Sequence, residues 1–221
     1  MSRSMVLAQL ATQISRLQPA PVLRVAIDGV DGAGKTTLAH ELEARLLAQG
    51  VPVIRASVDG FHHPRAVRYR QGKDSPQGFF EDSYDYSQLK ANLLDPLSPG
   101  GNLAYRPAVF EHRLEQPLNL PWQQAQAGAV LLLDGIFLHR PELRNYWDFS
   151  LFLDVPFAVS VARLAQRDGS DPDPAAPGQR RYVQGQQMYL QHCEPWRWAH
   201  VVLDNRDLAA PFLKKCEEVE R

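Results

Sequence analysis

Val22-Leu-Arg-Val-Ala-Ile-Asp-Gly29-Val-Asp31-Gly32-Ala33-Gly34-Lys35-Thr36-Thr37 decides the reading of this 221-residue chain. Its second half matches G-x-x-x-x-G-K-[ST] in the context the motif needs: a short apolar run leads in and an amphipathic pattern leads out. Gly29, Gly32 and Gly34 let backbone N–H groups converge on phosphate oxygens, with Asp31, Ala33 and Thr37 completing the loop. The N-terminus of the following helix adds positive potential. Lys35 is placed to neutralise outer phosphates, and the Thr36 hydroxyl to ligate a divalent cation.

Working outward, five apolar runs at 22–27, 53–56, 130–133, 150–153 and 201–203 are too short for buried helices. They read as parallel strands covered on both faces. Helical patterns over 36–49, 87–94, 156–167 and 208–219 fall between and after them; in the first, Leu38, Leu42 and Leu46 step by four and Gly50 is the stop. The expected fold is a doubly wound α/β domain with a five-stranded parallel sheet and helices on both faces, one domain over residues 1–221. Val6, Leu7, Leu10, Ile14 and Leu17 predict an N-terminal helix docked on it, favoured over a targeting peptide.

Two segments interrupt the alternation. Residues 60–121 form a long insertion dense in aromatics, Arg, Gly and Pro, expected to bind an acceptor. Residues 168–182 begin with a Gly/Pro/Asp-rich stretch and end in Arg180-Arg181, which reads as an arginine-bearing lid. Ligands in such sheets bind beyond the strand C-termini, and two carboxylates sit there. Asp59 follows the second strand, where it could orient or deprotonate an attacking hydroxyl. Asp134 follows the third, where it could share a cation's shell with Thr36. A turn is the bland reading of both Asp-Gly pairs. His62 and His63 are adjacent, which is not metal spacing, so they are expected to stack or hydrogen-bond.

These residues together resemble the uridine kinase branch of the uridine kinase/phosphoribulokinase/pantothenate kinase family. The resemblance runs from Val22 to Asp207 and rests on five features: the phosphate loop, Asp59-Gly-Phe61, the Gly78-Phe-Phe80-Glu-Asp82-Ser-Tyr84-Asp85 segment, Asp134-Gly-Ile136 and the lid. It implies an ATP- and Mg²⁺-dependent kinase acting on a hydroxyl of a small, nucleoside-like acceptor such as uridine or cytidine. Asp59 would be the base, and Phe80, Asp82 and Tyr84 would bind the acceptor beside Phe61 and His62. Phe110 and His112, on a hairpin-like stretch, would line the base pocket. Arg163 matches a lid arginine. Asp31 stands where the branch usually has a small residue, and Asp134 where it often has Glu. The phosphate loop with Asp31 is also similar to that of thymidylate kinases, whose corresponding acid contacts the acceptor sugar. A monophosphate kinase is therefore the alternative, with Arg65, Arg68 and Arg70 as a phosphate clamp; pantothenate or a sugar are further possible acceptors.

Arg163 and Arg167 share one helix face, and with Arg180 and Arg181 are expected to reach a transferring phosphoryl group. A solvated charged face is the plain reading of the same residues.

Composition bounds the rest. Arg supplies 19 of 24 basic residues against 25 acidic ones, for a net charge of −1. That balance gives no drive toward nucleic acid or an anionic membrane. Cys193 and Cys216 fit neither a disulfide scaffold nor a metal site, so a cytoplasmic setting is expected. A homo-oligomer is compatible with the family resemblance.

Overall fold

The computed structural model describes residues 2–17 and 21–214. Its centre is the expected sheet: β1 (Val22–Gly29), β2 (Val53–Ser57), β3 (Ala129–Gly135), β4 (Phe149–Asp154) and β5 (Val201–Asp204). A sixth strand, β6 (Phe212–Lys214), pairs antiparallel with β5. The order is β6-β5-β4-β1-β3-β2, with the first five strands parallel. The central sheet therefore has six strands rather than five. The helix expected over 208–219 is overturned where the chain is described: residues 208–211 are irregular and 212–214 are strand; the remainder, with Cys216, lies outside the described residues. Val202 and Leu203 already bury the preceding strand, and Phe212-Leu-Lys completes its open edge.

β1 is buried at every position because it runs between β3 and β4 with layers on both faces. On one face pack α1 (Arg3–Arg16) and α2 (Lys35–Ala48). Val6, Leu7, Leu10, Ala11 and Ile14 of α1 are all buried there, at a favourable ~1.5–3 kcal/mol for each large side chain. The opposite face carries the insertion. There α3 (Pro76–Asp82) packs on α5 (Arg180–Cys193) over Phe61, Phe137 and Tyr189. Between β4 and α5 runs α4 (Phe157–Asp168), ended by Gly169 in the left-handed region at φ 74°. The segment expected to be helical at 87–94 is helical over Tyr86–Leu89, widens to a π-turn at Lys90–Leu94 and closes at Asp95–Leu97. Among the described residues no helix is long and apolar enough to cross a membrane.

Candidate active site

The ends of β1, β2 and β3 open into one crevice of about 660 Å³. Its floor is the Gly29–Thr36 loop. Gly32 (φ +75°) leaves no room for a side chain, since a Cβ there would sit 2.2 Å from the Ser160 carbonyl oxygen of α4. Gly34 (φ +92°) caps α2, with the Asn205 amide where its Cβ would be. Both conformations lie in the left-handed region, which non-glycine residues would resist. Gly29, Ala33 and Gly34 hold the curve from below, while the exposed side chains of Thr36 and Thr37 line the opening.

Behind the loop lies a polar brace that sequence reasoning missed. Asp28 is fully buried. Its carboxylate accepts from the Gly29 N–H (2.7 Å), from His139 Nδ1 (2.7 Å), from the His139 N–H (3.2 Å) and from the Tyr189 hydroxyl. Four donors on one carboxylate fix the root of the phosphate loop to α5. Gln186, one turn earlier on α5, accepts the Asp31 N–H at 2.6 Å. From the other side Asn205 donates to the Ala33 carbonyl (2.7 Å) and accepts from Arg3 of α1 (3.2 Å).

Lys35 Nζ donates to the Val30 carbonyl at 2.9 Å. The Thr36 hydroxyl donates to Asp134 Oδ2 at 2.7 Å, and Asp134 is only 3% exposed. A hydroxyl and a carboxylate in contact are hard oxygen donors suited to a small divalent cation. No group of three or more His, Cys, Asp or Glu gathers among the described residues. A cation bound there would therefore take most of its ligands from phosphate oxygens and water. Arg55 of β2, also unforeseen, donates to Asp134 Oδ1 at 3.0 Å.

Across the crevice stands Asp59, exposed, accepting from the Tyr84 hydroxyl at 3.1 Å. Burial, then the nearby Asp59 and Asp31, push the Tyr84 phenol well above its ordinary range, so it stays a donor. Asp31 faces the same space. Burial raises its carboxyl above the usual carboxylate value; Lys35 opposes this and Asp59 adds to it. His62 donates from Nδ1 to the Asp59 carbonyl (2.9 Å), stacks on His112 at 4.4 Å between ring centres and meets the Tyr84 ring at 4.5 Å with the planes tilted by 49°. Burial lowers the His62 pKa, which keeps the ring neutral and stackable.

The structure gathers Asp31, Lys35, Thr36, Asp59, Tyr84, His112, Asp134, Arg163 and Arg167 around this crevice. Other expected residues lie elsewhere. Phe61 is fully buried in the core, and Phe80 is buried against Phe137 and Tyr189. Phe110 is buried in its two-residue strand. Asp82 is buried and paired with Arg70 (3.0 Å) and Gln71 (2.8 Å), contacts that hold its carboxyl low despite its burial. None of these four lines the crevice; Phe61 and Phe80 share the core cluster that backs Tyr84. Of the four arginines expected to reach the phosphoryl group, Arg163 and Arg167 border the crevice and Arg180 and Arg181 do not. Arg163 donates to the carbonyls of Asn205 (2.9 Å) and Arg206 (2.7 Å), so it clamps the loop after β5 instead of reaching across the crevice. Arg167 is exposed beside Asp168 (3.6 Å). Arg180 lies outside the crevice and bonds Gln184 (3.3 Å). Arg181 is buried, donating to the Lys73 carbonyl (2.6 Å) and stacked over Tyr69. A guanidinium surrounded by carbonyls has its donors satisfied already, which is why these side chains turn inward.

Three comparisons match this arrangement. Residues 24–172 match the family described as Phosphoribulokinase / Uridine kinase family. Among curated proteins, a pantothenate kinase of Bradyrhizobium sp. is 31% identical over 169 residues, covering 68% of this chain and 52% of that one. A thymidylate kinase of Xylella fastidiosa is 32% identical over 156 residues, covering 67% and 68%. The chain thus spans about half the length of the pantothenate kinases it matches. Among solved structures, a possible uridine kinase from Bacillus stearothermophilus superposes with a TM-score of 0.71 at 24% identity, covering 90% of this chain and 97% of that one, a likeness of fold. The family match over residues 24–172, about two thirds of the chain, settles the assignment: this chain belongs to the phosphoribulokinase/uridine kinase family of P-loop phosphotransferases.

Proposed function

We propose that the protein transfers the γ-phosphoryl group of ATP, with Mg²⁺, to a hydroxyl of a neutral, hydroxyl-rich acceptor carrying a planar ring, a nucleoside such as uridine or cytidine. The observation that carries this reading is the pair of carboxylates, Asp31 and Asp59, facing one crevice beside the stacked rings of His62 and His112. Carboxylates accept from sugar hydroxyls and repel an anionic acceptor; stacked rings suit a planar base. The arginines that could clamp an acceptor phosphate are engaged elsewhere. Arg68 pairs with Glu115 and donates to the His63 carbonyl (2.8 Å), Arg70 pairs with Asp82, and Arg65 approaches Glu115 at 4.0 Å.

The loop N–H groups and Lys35 would hold the nucleotide phosphates, and Thr36 with Asp134 would hold the Mg²⁺. That ion, when bound, offsets charge on the phosphate oxygens. Asp59 accepts the proton of the attacking hydroxyl, and Tyr84 keeps the Asp59 carboxylate aimed by donating to its other side. Asp31 and the ring stack fix the acceptor so that attack is in line, which is where most of the acceleration in phosphoryl transfer arises. Residues 60–121 act as the acceptor-binding insertion and 168–182 as a lid closing over the crevice.

One observation favours an anionic acceptor instead: the Arg113 side chain borders the crevice next to His112. ADP release measured across uridine, cytidine, thymidylate, pantothenate and fructose separates the readings. Turnover with nucleosides at least tenfold above the anionic compounds supports the first; preference for thymidylate or pantothenate overturns it and assigns Arg113 the anion.

A further inference from the structure

Arg55 places a cation beside Asp134, the carboxylate that would face a divalent ion. β2 and β3 are neighbours in register, with Ser57 opposite Asp134. Arg55 reaches along β2 and donates to both Asp134 Oδ1 (3.0 Å) and the Leu132 carbonyl (3.3 Å). Its Nε faces Glu43 of α2 at 3.5 Å, yet is buried without a hydrogen-bond partner. Glu43 lies seven residues after Thr36, on the same face of α2. A line of alternating charge therefore runs Glu43, Arg55, Asp134, ending at the Thr36 hydroxyl. A well-satisfied structural arginine would use all its donors; this one is held mainly by charge.

We infer that Arg55 is a positioning residue that weakens the protein's own grip on the divalent cation, so that the ion arrives and leaves with the nucleotide. The inference rests on the reading of Thr36 and Asp134 as the cation's protein contacts. The guanidinium occupies one oxygen of Asp134 and leaves the other for Thr36, which fixes the carboxylate's orientation. It also sets a positive charge on the far side of that carboxylate. At a separation of about 7 Å, +1 and +2 charges repel by close to a tenfold change in affinity even at a dielectric near that of water.

Mn²⁺ titration followed by electron paramagnetic resonance, on the ADP complex of the full chain, tests this without turnover. Wild type should bind one Mn²⁺ per complex. Arg55→Met should tighten that binding at least tenfold, and Arg55→Lys, which restores the charge, should return it to within about threefold of wild type. Glu43→Gln, which removes a carboxylate and keeps the arginine, should weaken it. Should Arg55→Met not fold, Arg55→Gln replaces it with the same expectation. Unchanged or weaker Mn²⁺ binding in the uncharged variants, or a lysine variant that behaves like them, overturns the role of Arg55. Wild-type ADP complex that binds no Mn²⁺ overturns the cation reading itself and Arg55 with it.

Discussion

Gly185→Ala should destabilise this protein although it improves a helix. Gly185 lies within α5, where alanine would ordinarily gain about 1 kcal/mol in helix propensity. A Cβ there would stand 2.7 Å from the Pro76 carbonyl oxygen, 2.8 Å from Phe79 Cδ1 and 3.3 Å from Phe79 Cβ. The oxygen belongs to backbone at the start of α3 and cannot swing away. The Phe79 ring is buried edge-on against Phe137 (5.5 Å) and Tyr182 (5.1 Å). Relief requires α3 and α5 to part by a few tenths of an ångström or more. Overpacking of this kind costs ~1–3 kcal/mol, and with two contacts below 3 Å the upper part of that range applies. The net loss is then ~2 kcal/mol after the helix gain. Urea unfolding measures it directly as a lower midpoint at constant slope. Because α3 leads into Tyr84, the acceptor KM should rise more than the ATP KM. A Gly185→Ala protein that is ~1 kcal/mol more stable than wild type would refute the close packing of these two helices.

Lys35→Met removes the charge over the outer phosphates and should lower turnover by at least ~3 kcal/mol of transition-state stabilisation, on the scale of one preorganised donor; steady-state kinetics at saturating ATP check it. Asp59→Asn keeps an oxygen for the Tyr84 hydroxyl but cannot take a proton, so kcat should fall roughly 10²–10⁴-fold with ATP binding retained by calorimetry. Asp31, with its pKa raised by burial, contributes to stability fully below its unfolded pKa and loses that contribution as pH rises through its folded one. Asp31→Asn should therefore melt higher than wild type at pH 8, by a margin that narrows as pH falls toward the ordinary carboxylate range; a pH-independent margin would contradict the sign.

The phosphate loop, the five parallel strands and the carboxylates at the ends of β2 and β3 were legible because each rests on local pattern: spacing in the loop, apolar runs in the strands, position after a strand for Asp59 and Asp134. What stayed hidden depends on distant partners. Asp28 reads as an interruption of β1 until His139 and Tyr189 arrive from 111 and 161 residues away. Arg55 reads as a solvated strand residue until β3 brings Asp134 alongside. α5 escaped notice because four glutamines dilute its apolar face, although Val183, Gln186, Tyr189 and Cys193 keep helical spacing and are all buried. The arginines at 163, 180 and 181 were expected to reach the phosphoryl group from helix spacing, their place beside the lid and, for Arg163, family resemblance. The fold gave two of them backbone carbonyls to satisfy, which sequence spacing cannot reveal. Phe61, Phe80 and Phe110 show the same limit: an aromatic next to a site is as easily its wall as its lining.

α5 carries a consequence for anyone who would exchange acceptor specificity within this family. Along barely three turns, Arg181 holds the carbonyl of Lys73, Gly185 admits Pro76 and Phe79, Gln186 holds the backbone of Asp31, and Tyr189 holds Asp28. The 60–121 insertion and the phosphate loop are thus fastened to one rod, across sequence separations of 108 residues for Lys73 and 155 for Asp31. A chimera that transplants residues 60–121 from a relative would bring in an insertion cut to fit another rod. Transplanting 180–193 with it keeps the two halves matched, and makes that helix, remote in sequence from either site, the natural second crossover of such a graft.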